Sequence, residues 1–266
     1  MKKFIRHFLF FILPIIFGSY FLDLFISNNL KKSKNEAFGE YATWNDLFDG
    51  KVNSDIVVYG SSRAWRHISP KIISNILHVS AYNLGIDGHN FWLQYLRHTI
   101  LLKKNRKPKI IIISVDYFTL QKKSDLYNLE QFLPYMLWNK EIKKSTMSYN
   151  GFVYVDYEIP LIRYYGKFKQ IIEAIFVDKD KENVKRDRGY EGQNTYWNTD
   201  FEKAKLSICK YEVRIDPETV VLFKRFIQEC RKNRIKLIFV YTPEYIEGQK
   251  FVKNRDEIIS IYRRYS

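Results

Sequence analysis

The pattern of apolar and polar positions along the chain alternates between short apolar runs and segments with helical spacing. The apolar runs are rich in β-branched residues, which is typical of strands buried on both faces of a parallel sheet. The intervening segments repeat apolar residues three and four positions apart, which predicts amphipathic helices. We predict strands over residues 55–59, 79–84, 109–115 and 235–241, and helices over residues 69–77, 91–104, 217–233 and toward residue 266.

Two of the predicted helices begin with the same local signal, a capping side chain followed by proline. Ser69 and Asp216 each precede a proline, which is favoured at the first helical position because it has no amide hydrogen to leave unpaired there. Alternating strands and helices, with continuously apolar strands, predict a doubly wound, mostly parallel α/β sheet. In such a sheet the functional site lies at the carboxyl ends of the strands, so the loops that follow the strands are the candidates.

A single long apolar run, over residues 8–26, precedes this pattern. A helix of this length reaches ~28 Å, close to the thickness of the hydrocarbon core of a bilayer. Lys2, Lys3 and Arg6 precede the run, as expected for a cytoplasmic N-terminus. We therefore predict a single-pass membrane anchor over residues 1–30 with an extracytoplasmic C-terminal domain. A cleaved signal peptide is the alternative.

Three further stretches depart from the alternation. Asp23 lies near the far end of the apolar run, where its carboxylate is expected to reach the membrane interface. A polar juxtamembrane stretch follows, to about residue 52. Residues 117–215 are rich in Tyr, Phe, Trp and Lys, which predicts a large insertion with helical pieces that packs over one end of the sheet. The α/β domain is predicted to occupy residues 31–266 around this insertion.

Composition excludes several classes of protein. Hydrophobic residues make up 46% of the chain, too many for a disordered protein, and charged residues make up 27%, too many for a polytopic membrane protein. The net charge of +15 comes from basic residues spread along the chain without a nucleic-acid-binding signature, so we expect no nucleic-acid partner. Anionic lipid or an acidic cell-surface polymer explains this charge better. Cys209 and Cys230 are too few for a disulfide scaffold or a cysteine-based zinc site, and their pairing stays open.

Two of the loops at predicted strand ends carry candidate chemistry. Gly60-Ser61-Ser62-Arg63 follows the first strand, and a serine there would present its hydroxyl at the top of the sheet, beside backbone N–H groups that can hold an oxyanion. The loop over residues 83–90 follows the second strand and carries two glycines, which allow close backbone approach. Each loop alone is equally compatible with a plain turn.

Together the blocks DIVVYGSSRAW, YNLGIDGHN and KIIIISVDYF resemble the SGNH (GDSL-like) hydrolase superfamily, especially its membrane-anchored bacterial branches associated with modification of cell-surface polymers. The resemblance covers about residues 53–118 and 216–245. It implies a flavodoxin-like sheet with no cofactor and no metal. It also implies that Ser62 is the nucleophile, that its backbone N–H contributes to the oxyanion hole and that Gly88 is the oxyanion glycine.

The chain departs from the superfamily pattern in two places. Asp116 occupies the position at which the third block usually carries an asparagine, and an ionised carboxylate cannot donate to an oxyanion. Arg63 is one possible partner for it. The superfamily also takes its base from an Asp-x-x-His block after a fifth strand, and no such block occurs in these 266 residues. Because a serine without a positioned base is a poor nucleophile, the domain is expected to be incomplete at its C-terminus.

The five histidines offer no clear substitute for the missing base. His67 and His89 lie close enough in sequence to Ser62 and Gly88 to approach the site, although both are equally explained as loop or capping residues. The other three are expected at the anchor, on helix surfaces or in packing, and these are His7, His78 and His98.

Two classes of function follow from these residues. The first is a membrane-anchored, extracytoplasmic esterase or O-acyltransferase that acts on acyl esters of a cell-surface glycan, with Tyr190, Tyr196 and Trp197 available to stack on sugars or to form core. The second is a catalytically inactive glycan-binding or assembly module, or a truncated gene product. We expect weak or absent hydrolysis from the 266 residues alone. An Asp-x-x-His encoded beyond codon 266 would favour the enzyme.

Overall fold

A computed structural model describes residues 2–32, 39–88, 91–177, 186–194, 196, 198–207 and 209–265. The strands are β1 (Ile56–Tyr59), β2 (Ala81–Asn83), β3 (Ile110–Ser114) and β4 (Lys236–Val240). The α-helices are α1 (Lys2–Leu30), α2 (Gly39–Phe48), α3 (Ser62–His67), α4 (Pro70–Leu77), α5 (Phe91–Lys104), α6 (Lys140–Thr146), α7 (Tyr154–Glu158), α8 (Phe168–Ile172), α9 (Asp200–Ser207), α10 (Pro217–Lys232), α11 (Ile246–Gln249) and α12 (Arg255–Arg263).

The chain divides into two compact units, each of which is discontinuous in sequence. The first combines Met1–Asn45 with Ser124–Lys185, and the second combines Asp46–Lys123 with Arg186–Ser266. We call them the helical unit and the sheet unit, because all four strands lie in the second.

The sheet unit is an α/β structure built on one all-parallel sheet, as the strand pattern predicts. The strand order is β2-β1-β3-β4. In register, Ile56 of β1 lies opposite Ala81 of β2 and Ile110 of β3, and Ile110 lies opposite Lys236 of β4. All four residues of β1 are buried, as expected for a central strand covered on both faces.

The predicted helix starts of the sheet unit are confirmed. The Ser69 hydroxyl accepts the amide of Ile72 at 3.4 Å, and the Asp216 carboxylate accepts the amide of Thr219 at 2.8 Å. A proline occupies the first turn in both cases. The predicted C-terminal helix is instead two helices, α11 and α12, separated by the turn that precedes Arg255.

In the helical unit, α1 is long and apolar enough to cross a membrane. Asp23, whose carboxylate the sequence places within reach of the membrane interface, is buried within this unit. Both of its oxygens accept from Arg163, at 2.6 and 2.7 Å, and its Oδ2 also accepts from the backbone N–H of Leu161 at 2.8 Å. Neither side chain is more than 1% exposed.

Helix α2 lies within the predicted polar juxtamembrane stretch, for which the sequence analysis predicts no helix or strand. Tyr41 and Trp44 are fully buried, and the Trp44 indole N–H donates to Gln131 Oε1 at 3.0 Å. These residues recur at helical spacing with Leu47, which is the signal that the polar surroundings obscured.

Between β3 and β4 the described residues contain helices, turns and isolated bridges but no strand of the sheet. The part within the helical unit includes α6, α7 and α8, two 3₁₀ helices (Leu129–Tyr135 and Ile162–Tyr164) and a π-helical turn (Glu173–Val177) that continues α8. The remainder, with α9, belongs to the sheet unit.

Candidate functional site

The turn after β1 depends on Gly60, which has φ +140°. A Cβ at this position would lie 2.7 Å from the carbonyl oxygen of Ser114, so β1 and β3 could not approach each other so closely with any other residue. The Gly60 N–H donates to the buried Gln94 side chain at 2.9 Å. The turn is therefore fixed from two sides, and it delivers Ser61 and Ser62 to the carboxyl end of the sheet.

The two serines after Gly60 have different environments. Ser61 is 2% exposed and is the N-cap of α3, where its hydroxyl accepts the Arg63 amide at 3.3 Å. The same hydroxyl donates to Asp116 Oδ2 at 2.5 Å. Ser62 is half-buried, and its hydroxyl has no hydrogen bond to any residue that the structure describes. Ser61 is thus committed to structure, whereas Ser62 is available.

Asp116 follows β3 and is completely buried. Its backbone is held at both ends, since its N–H donates to the Thr119 hydroxyl at 2.8 Å and its carbonyl accepts the Tyr262 hydroxyl at 2.9 Å. Burial raises the pKa of its carboxyl above the ordinary value of 3.8, against the opposing effects of Ser61 and Arg63. The carboxyl therefore takes up a proton at a higher pH than an exposed aspartate does.

The partner that the sequence suggests for Asp116 is present. Arg63 Nη1 lies 3.2 Å from Asp116 Oδ1, although neither atom makes a hydrogen bond of good geometry. The other guanidinium nitrogen, Nη2, pairs with Oε1 of Glu244. Arg63 thus joins two carboxylates that follow two neighbouring strands, β3 and β4.

Sequence reasoning missed Glu244, which is the centre of this charge cluster. Its Oε2 accepts the Tyr241 hydroxyl at 2.8 Å and lies 3.6 Å from Arg255 Nε. Burial and this hydrogen bond raise the pKa of Tyr241 to about 12, so the phenol stays a donor at neutral pH. Glu244 comes four residues after the end of β4, and the rule that strand carboxyl ends meet at one edge could have identified it.

The loop after β2 is pinned to the turn after β1. The Ile86 N–H donates to the carbonyl of Gly60 at 2.9 Å, and the Asn83 side chain donates to the carbonyls of Ala64 and Ile68, both at 2.8 Å. A Cβ on Gly85 would lie 2.7 Å from the backbone nitrogen of Trp65, so the glycine permits this close packing. The loops that carry Ser62 and Gly88 therefore form one connected structure.

Gly88 lies near the end of this pinned loop in a left-handed conformation, with φ +62°. Its N–H donates to the Asp87 carboxylate at 3.0 Å. An oxyanion would have to displace this acceptor before it could use the Gly88 amide.

No described histidine is hydrogen-bonded to Ser62. His67 is exposed at the end of α3, and His78 is exposed in a left-handed conformation at the end of α4. His98 is fully buried and bonded to the Tyr59 hydroxyl at 3.1 Å, and burial lowers its pKa to about 3. His7 lies on α1, and His89 lies outside the described residues.

The aromatic residues predicted for sugar stacking are only partly described. Tyr190 is half-buried and forms an antiparallel bridge with Asp187, whereas Tyr196 is 93% exposed. Trp197 lies outside the described residues. Both cysteines are free thiols, Cys209 exposed and Cys230 buried.

Comparisons of the chain with protein-family models, curated proteins and solved structures give no match.

Proposed function

We propose that the protein is a membrane-anchored, extracytoplasmic SGNH-like esterase or O-acyltransferase that acts on acyl esters of a cell-surface glycan, with Ser62 as the nucleophile. The observation that carries this proposal is the division of roles between adjacent serines. Ser61 is consumed by the cap and by Asp116, while the half-buried Ser62 hydroxyl is left at the carboxyl end of the sheet with no described partner. The strand order β2-β1-β3-β4 also agrees with the flavodoxin-like order that the superfamily uses.

In this proposal Ser62 attacks the acyl carbon, and the oxyanion is stabilised by the backbone amide of Ser62 and by that of Gly88 once the oxyanion has displaced Asp87 from it. Asp116 does not donate a hydrogen bond to the oxyanion. It holds Ser61 and Arg63 beside the nucleophile. The base stays unassigned, since no described histidine reaches Ser62. The anchor, α1, would deliver the sheet unit to the outer surface of the membrane.

Labelling with a serine-directed phosphonate tests the nucleophile on the full chain in detergent. We expect the wild type and Ser61→Ala to be labelled and Ser62→Ala not to be labelled, because of these two serines it is Ser61 whose hydroxyl is already engaged. Folding of each variant is checked by its thermal unfolding midpoint. Equal labelling of the wild type and Ser62→Ala would contradict the assignment.

The second candidate is an inactive glycan-binding or assembly module, and the absence of a described histidine at Ser62 favours it. Binding to cell-surface polysaccharide distinguishes the two. If binding is the function, Ser62→Ala leaves the affinity for glycan unchanged, whereas Trp197→Ala weakens it and no variant alters ester turnover.

A further inference from the structure

The end of the insertion in the helical unit exposes an apolar stripe that a water-soluble helix would bury. Helix α8 and the π-helical turn after it bury Ile171 and Ile175, yet Phe168, Ile172 and Phe176 are 65%, 54% and 72% exposed. We call these three residues the outer stripe. Their spacing of four puts them on one face. Contiguous exposed apolar surface of this kind marks an interaction site.

The position of this region along α1 is set by the Asp23–Arg163 pair. Because both carboxylate oxygens of Asp23 accept from the guanidinium, Arg163 must lie at the level of Asp23 on the α1 axis. At the same level, the opposite face of α1 exposes Phe21 and Phe25, which are 64% and 53% exposed. Asp23 lies near the far end of the apolar run over residues 8–26. An anchor that buries these two rings in lipid therefore holds Arg163 and its neighbours close to the boundary between the hydrocarbon core and the headgroups.

The residues that flank this ion pair have the chemistry of a membrane interface. Ile162 and Tyr165, on either side of Arg163 and Tyr164, are 42% and 85% exposed. Trp138 is 56% exposed and stacks on Tyr20 of α1, with ring centroids 5.3 Å apart. Tyr and Trp prefer the headgroup layer, because each combines an apolar ring with a polar tip. Lys169, within α8, is exposed and suited to anionic headgroups.

We propose that the outer stripe, with Ile162, Tyr165 and Trp138, is a second lipid-contact surface that lies in the interfacial layer of the bilayer that α1 crosses. The Tyr20–Trp138 stack and the Asp23–Arg163 pair attach the segments that carry Trp138, Ile162 and Tyr165 to α1. This second contact keeps the helical unit against the membrane, so the unit cannot move freely relative to the bilayer as it would if α1 were its only attachment. This inference rests on the proposed anchor and is independent of the chemistry at Ser62.

Depth-dependent quenching of a fluorophore tests the proposal on the full chain. The exposed thiol is removed by Cys209→Ser, and the buried Cys230 is retained. Single cysteines are then introduced by Phe168→Cys and Ile172→Cys, labelled with an environment-sensitive dye, and reconstituted into vesicles of phosphatidylcholine and phosphatidylglycerol. The quencher is a lipid with a nitroxide near its headgroup. Lys144→Cys on the charged helix α6 is the aqueous control, and Phe21→Cys is the anchor control.

We expect both stripe labels to be quenched several-fold more than the Lys144 label and about as strongly as the Phe21 label. If the Phe21 label is quenched and the stripe labels are not, the anchor stands and the lipid-contact surface is wrong. If none is quenched, the anchor and the surface fail together. A third outcome is that the stripe labels report an apolar environment without quenching by the nitroxide lipid, and that cysteines at these positions cross-link two copies of the chain. This outcome would overturn the proposal in favour of a second copy of the chain.

Discussion

Each unit of the molecule contains an aspartate–arginine pair in which the carboxylate is buried, and the two pairs differ in how many of their polar atoms make hydrogen bonds. In the helical unit all three guanidinium nitrogens of Arg163 donate, to Asp23, Ser27, Tyr164 and the carbonyl of Leu133. In the sheet unit Arg63 Nη1, Asp116 Oδ1 and Glu244 Oε1 are buried without a hydrogen bond of good geometry. A saturated pair locks a structure in one arrangement. The unsaturated cluster beside Ser62 retains polar atoms that can take a further hydrogen bond.

Of the substitutions that compare the two pairs, replacement of Arg163 is expected to reduce the free energy of unfolding the most. Arg163→Met leaves the Asp23 carboxylate buried without its cation, which should cost about 3–5 kcal/mol of the free energy of unfolding. The double variant Asp23→Leu, Arg163→Met should recover most of this loss, because no charge is left buried. Thermal unfolding of the full chain in detergent measures both.

Lys144→Met is the matched control for this prediction, since Lys144 is an exposed cation of the same unit and its loss should change the midpoint very little. If the single variant Arg163→Met is as stable as the wild type, the Asp23–Arg163 pair does not contribute to the stability of the helical unit.

Asp116→Asn should cost less, about 1–2 kcal/mol, because the amide oxygen can still accept from Ser61 and Arg63 keeps Glu244 as its partner. Asp49→Asn is the control, since Asp49 is an exposed carboxylate of the same unit that pairs with the exposed Lys51. A loss as large as that of Arg163→Met would contradict the distinction between the pairs.

The pH dependence of stability should reveal the proton on Asp116. Because its pKa is raised in the folded state, the folded protein binds this proton more tightly than the unfolded chain does. The resulting stabilisation is complete below the ordinary value of 3.8 and is lost as the pH rises through the higher folded pKa. The unfolding midpoint of the wild type relative to Asp116→Asn should therefore fall as the pH rises above 4. A rise over the same interval would refute the assignment.

The smallest expected difference lies between two serines that serve the two pairs. Ser61→Ala removes a helix cap and the hydrogen bond to Asp116, and should cost about 1–2 kcal/mol. Ser27→Ala should cost less, because Asp23 keeps both donors from Arg163 and the amide of Leu161. Denaturant midpoints of the two variants measure the difference. The reverse order would show that the remaining hydrogen bonds to Asp23 do not limit the destabilisation caused by the loss of Ser27.

Local patterns made the sheet unit predictable. The short apolar runs identify the four strands of the sheet, and Ser69 and Asp216 identify two helix starts, because periodicity and capping are properties of neighbouring residues. The positions of Ser62 and Asp116 at strand ends follow from the same patterns. Their chemical roles remain predictions.

Contacts between distant residues were not predictable in this way. Asp23 and Arg163 are far apart in sequence, and no local signal pairs them, so the sequence did not predict that the Asp23 carboxylate would be buried against an arginine. Glu244 was missed for a related reason, since its role depends on Arg63 from the other end of the domain. Helix α2 was missed because its polar face outweighed the spacing of Tyr41 and Trp44.

The register of β3 with β4 has a consequence for biosynthesis. About 120 residues separate the paired positions Ile110 and Lys236, so the outer edge of β3 stays unpaired while the intervening chain is made. At ordinary rates of translation this interval lasts on the order of ten seconds, and the entropic cost of closing the gap grows only slowly with its length. The nascent chain is therefore most exposed to wrong strand pairing after β3 has left the ribosome and before β4 follows it.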